Sequence, residues 1–221
     1  MEKEKKNKKR SVGRPKEKMS LDTDRVLRIA LKNFAERGFG GVSLKSLAES
    51  TGVAVSLLNY HFGSKEELWK KSLRLVGSKI AEEINDLFTI IEHMDGIEKL
   101  KLFNKKIVHT SAKHPEFQQV IVQEVFSNSS RSSWLVKELL GPIYKEMEEV
   151  ISDEIEKGRI RNIPQAHLTS FIIGSITTFF SRSYQMKKAY GIDSFSQESI
   201  EAHTRFINEL LFNGLLIKES D

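Results

Sequence analysis

The stretch at residues 44–63, LKSLAESTGVAVSLLNYHFG, reads as two short helices joined by a tight turn and crossing at a steep angle. Leu47, Val53 and Leu58 fall where they share a small core. Ala48 is small where the helices come closest, and Gly52 follows four residues later, where the turn needs left-handed backbone. An ordinary helix–helix corner is the alternative, but it does not require Ala48, Gly52, Val53 and Leu58 together at these offsets. Just upstream, a helix capped by Asp22 or Thr23 runs to Arg37. It carries Val26, Ala30 and Phe34 on one face, with Leu27 and Leu31 beside them and Gly38 to end it. The three segments predict a helix-turn-helix unit over residues 21–67, with its third helix, about Val55 to His61, exposed.

Downstream the pattern stays helical. Ser64-Lys-Glu-Glu67 predicts a capping box in which Glu67 reaches back to the cap. Helices are expected near residues 65–92, 97–112, 115–127, 133–157, 164–188 and 196–216, with Pro142 kinking or dividing the fourth. No stretch alternates with a period of two, so the expected fold class is all-α: the N-terminal helix-turn-helix unit followed by a C-terminal helical bundle over residues 68–221.

The composition supports a packed core: 39% of the 221 residues are hydrophobic, with 13 Phe, against 29% charged. The absence of Cys excludes disulfide scaffolds, zinc ribbons and thiol nucleophiles. The longest uncharged apolar run, Leu168–Phe180, has 13 residues and reads as a buried helix, since a membrane span needs about 18. The lysine run at the start has no apolar segment behind it, so a chain that stays in the cytoplasm, away from membranes, is expected. The net charge of +5 is concentrated. Residues 1–20 hold nine Lys/Arg and three Glu, leaving the other 201 residues with a net charge of −1. Such an arm stays unfolded alone and seeks a polyanion, nucleic acid first and an anionic membrane second, unless it only solubilises the chain. Within it, Gly13-Arg-Pro-Lys16 resembles the core of an AT-hook, which places Arg14 in a narrow, strongly negative minor groove.

The exposed third helix has its own chemistry. Val55 or Leu57 suits a thymine methyl and Asn59 suits adenine in the major groove, unless one of the apolar pair packs on the first helix. Lys65, in the first turn of a helix, opposes the helix dipole, and a phosphate docked there would reverse the penalty. His61 can also be a plain helix-end residue and Tyr60 a half-buried core aromatic.

Four segments, Ala35-Glu-Arg-Gly-Phe39, Ser43-Leu-Lys-Ser-Leu-Ala48, Gly52-Val53 and Tyr60-His-Phe-Gly-Ser-Lys-Glu-Glu-Leu68, resemble the DNA-binding domain of the tetracycline-repressor (TetR/AcrR) family of bacterial regulators. The resemblance spans about Asp24 to Leu68. It implies that Ser43 caps the second helix against a phosphate, that Tyr60, His61 and Lys65 touch backbone phosphates, and that Lys45, Ala54, Val55, Ser56, Leu57 and Asn59 belong to the DNA face. The sequence departs from the family at Ala54, where a polar cap is common, at Val55, where Lys is frequent, at Leu57, where Thr is frequent, and at Asn59, where an aromatic is usual.

For the body the resemblance implies a ligand pocket among the middle helices. Candidates for its lining are Phe103, Ile107, Phe126, Trp134, Tyr144 and Phe171, with Asn104, His109 and Gln123 to orient a small, apolar effector. The last two helices are apolar on more than one face and read as a homodimer interface, as the resemblance also implies, with Ile172, Ile176, Phe179, Phe180, Ile207, Leu211 and Leu215 at it, unless one of them is simply a buried helix of a monomer. The six His show no metal-binding spacing and the chain shows no catalytic constellation. No metal, no cofactor and no enzymatic activity are therefore expected. The expected function is a ligand-responsive dimeric regulator, a repressor, on a pseudo-palindromic double-stranded DNA operator in the nucleoid. The rivals are an architectural DNA-binding dimer without a ligand and a helical enzyme with an appended DNA-binding module.

Overall fold

Helix ends are marked by caps that the sequence supplies. α1 (Thr23–Gly41) is capped by Asp22, whose carboxylate accepts from the Arg25 amide at 3.0 Å; a glycine at positive φ, Gly38, kinks its end. α2 (Leu44–Thr51) carries a reciprocal box, in which the Ser43 hydroxyl accepts from the Ser46 amide and the Ser46 hydroxyl from the Ser43 amide, each at 3.0 Å. α3 (Val55–Phe62) and α4 (Lys65–Ile90) follow. The box expected at α4 is only half made. Ser64 accepts from the Glu67 amide at 3.1 Å, but the Glu67 carboxylate pairs with Lys70 at 3.4 Å instead.

The computed structural model describes residues 21–215, and of Leu215 only its place in the last helix. The basic arm, with Arg14 and its AT-hook-like segment, lies outside the described residues. The body comprises α5 (Gly96–Lys113), α6 (Pro115–Val125), α7 (Ser130–Leu135), α8 (Gly141–Glu156), α9 (Gln165–Ser181), α10 (Ser183–Tyr190) and α11 (Gln197–Leu215). α5 is central, packed on α4, α8, α9 and α11. The described residues form only helices and their connections, and none of these helices is long and apolar enough to cross a membrane.

Two helices divide where the sequence signal was partial or silent. The expected helix 133–157 contains a π turn over Val136–Leu140, closed by the Gly141 amide on the Val136 carbonyl. Pro142 cannot donate to the ladder, so the widened turn sits just before it. Gly141 is required because a Cβ there would lie 2.9 Å from that carbonyl oxygen. The expected helix 164–188 breaks at Arg182 (φ −102°, ψ 19°), with no Pro or Gly to announce it.

The core runs unbroken from α1 through Leu47 and Leu58 to Trp69 and on to Ile176 and Leu211. α4 begins in the helix-turn-helix unit and ends in the body, so the expected boundary between residues 67 and 68 falls inside a continuous helix. Glu83 on α4 accepts from Lys106 and Lys113 of α5, each at 2.8 Å, and these bonds hold its carboxyl down at about 2.

Candidate nucleic-acid interface and ligand cavity

The turn between α2 and α3 rests on Gly52, in left-handed backbone (φ 72°, ψ 19°), whose amide donates to the Ala48 carbonyl at 2.9 Å. With Leu47 and Leu58 fully buried beneath it, α3 stands proud of the body. Its outer face presents Ala54, Val55, Ser56, Leu57, Asn59, Tyr60 and His61, with Lys45 and Ser43 of the α2 end also exposed. Val55 is 38% exposed and Leu57 40%, so both keep a surface open to solvent, and Tyr60 is 84% exposed rather than a core aromatic. The Tyr60 and His61 rings meet edge to face at 5.1 Å. Ala54 caps α3 without a side-chain bond, which leaves the first amides of the helix free.

Lys65 does not join this face. Its ammonium donates to the carbonyls of Phe39 and Val42, each at 3.0 Å, and lies 4.1 Å from the Phe39 ring centre. The expected phosphate contact is not seen in this arrangement: the carbonyls of Phe39 and of Val42, the residue that caps α1, and an aromatic face hold the cation inward. Lys65→Ala should therefore lower stability by about 1–3 kcal/mol, read from urea unfolding, while Tyr60→Ala leaves the unfolding midpoint unchanged and weakens DNA binding. Lys71, which sequence reasoning passed over, donates to the His61 carbonyl at 3.3 Å and ties the end of α3 to α4.

Phe39 is the centre of the junction between the two halves. Arg131, paired with Glu124 at 3.0 Å, lies 3.9 Å from the Phe39 ring centre. Phe39 meets Trp69 edge-on, and Trp69 packs on Trp134 at 5.6 Å. Gln123 donates to the Ala35 carbonyl at 2.8 Å. Trp134 and Gln123, expected in a pocket, are thus junction residues. Gln123 lies on the far side of α6, whose other face lines the cavity, and Trp134 sits on α7, which contributes nothing to the lining.

That cavity, of about 650 Å³, lies among α4, α5, α6, α8 and α9. Of the expected lining it brings together Ile107, Phe126 and Tyr144. Phe126 stands 87% exposed, and burial pushes the Tyr144 phenol above its ordinary range. Phe103 is instead core, 5.7 Å from the Phe88 ring, and Asn104 is buried in a bond to Asn208 at 3.0 Å. His109 lies outside the lining, and Phe171 faces a separate groove on the outer side of α9. Sequence reasoning missed the hydroxyl-rich face of α9 (Thr169, Ser170, Thr177, Thr178, Ser181) because small polar residues give no apolar signal.

The expected interface residues Ile172, Ile176, Phe180, Ile207 and Leu211 are all buried in the chain's own core, where α9 and α11 pack on each other and on α5. Phe179 is half-buried, its ring stacked on His203 at 4.4 Å, and the Leu215 side chain lies outside the described residues. Both helices are apolar on two faces, and the expected set fell on the inner one. The outer apolar residues are Phe206 and Leu210, one turn apart on α11, and Phe171 on α9.

Comparison with known proteins agrees with this architecture. The profile for "Bacterial regulatory proteins, tetR family" matches residues 26–71, and that for "Tetracyclin repressor-like, C-terminal domain" matches residues 97–211. The chain is 23% identical over 207 residues to the HTH-type transcriptional regulator RutR of Escherichia coli K12, covering 90% of this chain and 95% of that protein. It is also 23% identical over 199 residues to the HTH-type transcriptional repressor NicS of Pseudomonas putida, covering 87% and 91%. Among solved structures, the transcriptional regulator FadR from Bacillus subtilis in complex with stearoyl-CoA superposes with a TM-score of 0.65. It shares 19% identity and covers 86% of this chain and 97% of its own.

Proposed function

The chain belongs to the tetracycline-repressor family of bacterial regulatory proteins, and from that premise we propose that it is a cytoplasmic, homodimeric repressor released from its DNA operator by a small effector with a large apolar part. The observation that carries this reading is the double duty of α6. Ile121, Val122 and Val125 line the cavity, while Gln123 on the same helix grips α1 beside the DNA-binding unit. An occupant that favours one placement of α6 biases the placement of α3, and the effector and the operator then oppose each other by the same free energy. A cavity of this size, with aliphatic and aromatic side chains on one side and the hydroxyls of α9 on the other, favours a ligand-responsive protein over an architectural DNA binder.

On the DNA, Asn59, Val55 and Leu57 read base edges, while Tyr60, His61, the free amides of α3 and the Ser43–Lys45 corner hold phosphates. The exposed Phe206, Leu210 and Phe171 pair two copies through α9 and α11, setting two α3 helices for a two-fold operator. The test is a binding titration on inverted repeats from the intergenic DNA beside the coding sequence. One repeat should bind with half-sites one helical turn apart, and removing residues 1–20 should flatten the salt dependence, since each phosphate neutralised contributes about one unit of log–log slope. Equal affinity for the repeat and a scrambled duplex would overturn the reading.

A further inference from the structure

The cavity and the face of α9 that lines it have a definite shape. Lining positions on α9 run from Ala166 to Arg182, separated alternately by three residues and one, so a single helical stripe faces the space along the whole helix. Sixteen residues of helix span about 24 Å. A volume of about 650 Å³ along a stripe of that length suits a long ligand with a large apolar part. The opposite wall is mostly apolar, with Ile80 from α4, Ile107 from α5, Ile121 and Val125 from α6, and Ile143 from α8; Thr110 and Gln118 are its polar members.

The two ends carry opposite charge. Near the start of α9, Gln165 reaches the Glu148 carbonyl at 3.5 Å, which places Glu148 at that end. At the other end stands Arg182, where α9 breaks. Neither side chain is in an ion pair with any described residue. Arg182 is exposed and also borders the outer groove of α9, so a charged group held there keeps part of its water, whereas Glu148 is half-buried. Thr178 beside it adds a hydroxyl.

We propose that the cavity takes a long, single acyl chain with an anionic head, the head paired with Arg182 at the α9–α10 break and the chain running along α9 toward Glu148. This deepens the effector reading above and rests on it for its regulatory meaning. Glu148 sets the direction, because a carboxylate head entering the other way meets like charge. A free fatty acid brings a carboxylate to Arg182; its coenzyme A thioester brings a neutral carbonyl to the same point and carries its anionic phosphates a pantetheine arm further out, where Arg182, at the open end, is the nearest cation of the lining.

The experiment is calorimetric titration of the full-length protein below micelle-forming concentrations with hexadecanoate, hexadecanoyl-coenzyme A, hexadecanol and hexadecyltrimethylammonium, and with shorter acids down to octanoate. At least one of the two anionic ligands should bind, and whichever binds more tightly identifies the source. Affinity should rise with chain length by about fourfold per methylene. Arg182→Gln, at an exposed position, should weaken the anion about tenfold or more and leave hexadecanol unchanged. Ile173→Trp, in the middle of the stripe, should shift the preference to shorter chains. Tighter binding of the ammonium amphiphile, affinity flat in chain length, or an unaltered Arg182→Gln would each overturn the assignment. Acyl-chain binding with no effect on operator affinity would leave it standing and remove the regulatory reading. Operator release by another ligand, with neither anion bound, would do the reverse.

Discussion

Replacing Gly96 by alanine should lower the unfolding free energy by about 3 kcal/mol or more. A Cβ at Gly96 would lie 2.2 Å from Glu154 Oε1 and 2.6 Å from its carboxyl carbon. Glu154 has no room to retreat. Its side chain is fully buried, and Arg159 grips both oxygens, at 2.6 and 2.5 Å, while itself pairing with Asp95, the cap of α5. Moving the buried carboxylate disturbs its pairing with the part-exposed Arg159 and leaves a buried charge less well compensated. Urea unfolding followed by circular dichroism reads the loss. Gly174→Ala is the control: its Cβ meets nothing within 4 Å, so the better helix former should be neutral or slightly stabilising. Equal losses at the two glycines would show that helix propensity, not the Glu154 contact, governs position 96.

Glutamate at both Phe206 and Leu210 should produce a folded monomer whose operator affinity falls about a hundredfold or more, because two half-sites are then no longer held by one particle. Sedimentation velocity and fluorescence anisotropy on the same samples test the two parts. The contrast is Leu211→Glu, one position along. That side chain lies in the chain's own core, so the variant should lose helix content and thermal stability rather than simply dissociate. A wild-type protein that sediments as a monomer at micromolar concentration would remove the premise of the experiment.

The helix-turn-helix was legible because its constraints are local. Gly52 must take positive φ, Ala48 must be small, and Leu47 and Leu58 must meet, all within 12 residues of sequence. Lys65 shows where local reasoning stops. Its position in the first turn of α4 pointed to a phosphate, but the carbonyls of Phe39 and Val42 come from more than 20 residues away. The same holds for Gln123 and Trp134. An amphipathic helix tells which residues leave the solvent, not which of two neighbours receives them. On α9 and α11 the apolar residues occupy more than one face, so periodicity could not separate Ile207 and Leu211 from Phe206 and Leu210. Only the packing of α5 between them decides.

The contacts that join the halves are of an unusual kind. Gln123 meets a neutral carbonyl, Arg131 meets the flat face of Phe39, and Trp69 meets Trp134; among the described residues no ion pair links α1 to α6 or α7. Ionic strength therefore acts on the two ends of the molecule differently. It should screen the proposed long-range attraction between the basic N-terminal segment and the double helix, while contacts at van der Waals distance are screened much less. On the proposed reading, added salt should loosen the protein from DNA while leaving its response to an effector in place. The ratio of operator affinities without and with saturating effector should then stay constant across salt concentrations over which each affinity changes by orders of magnitude.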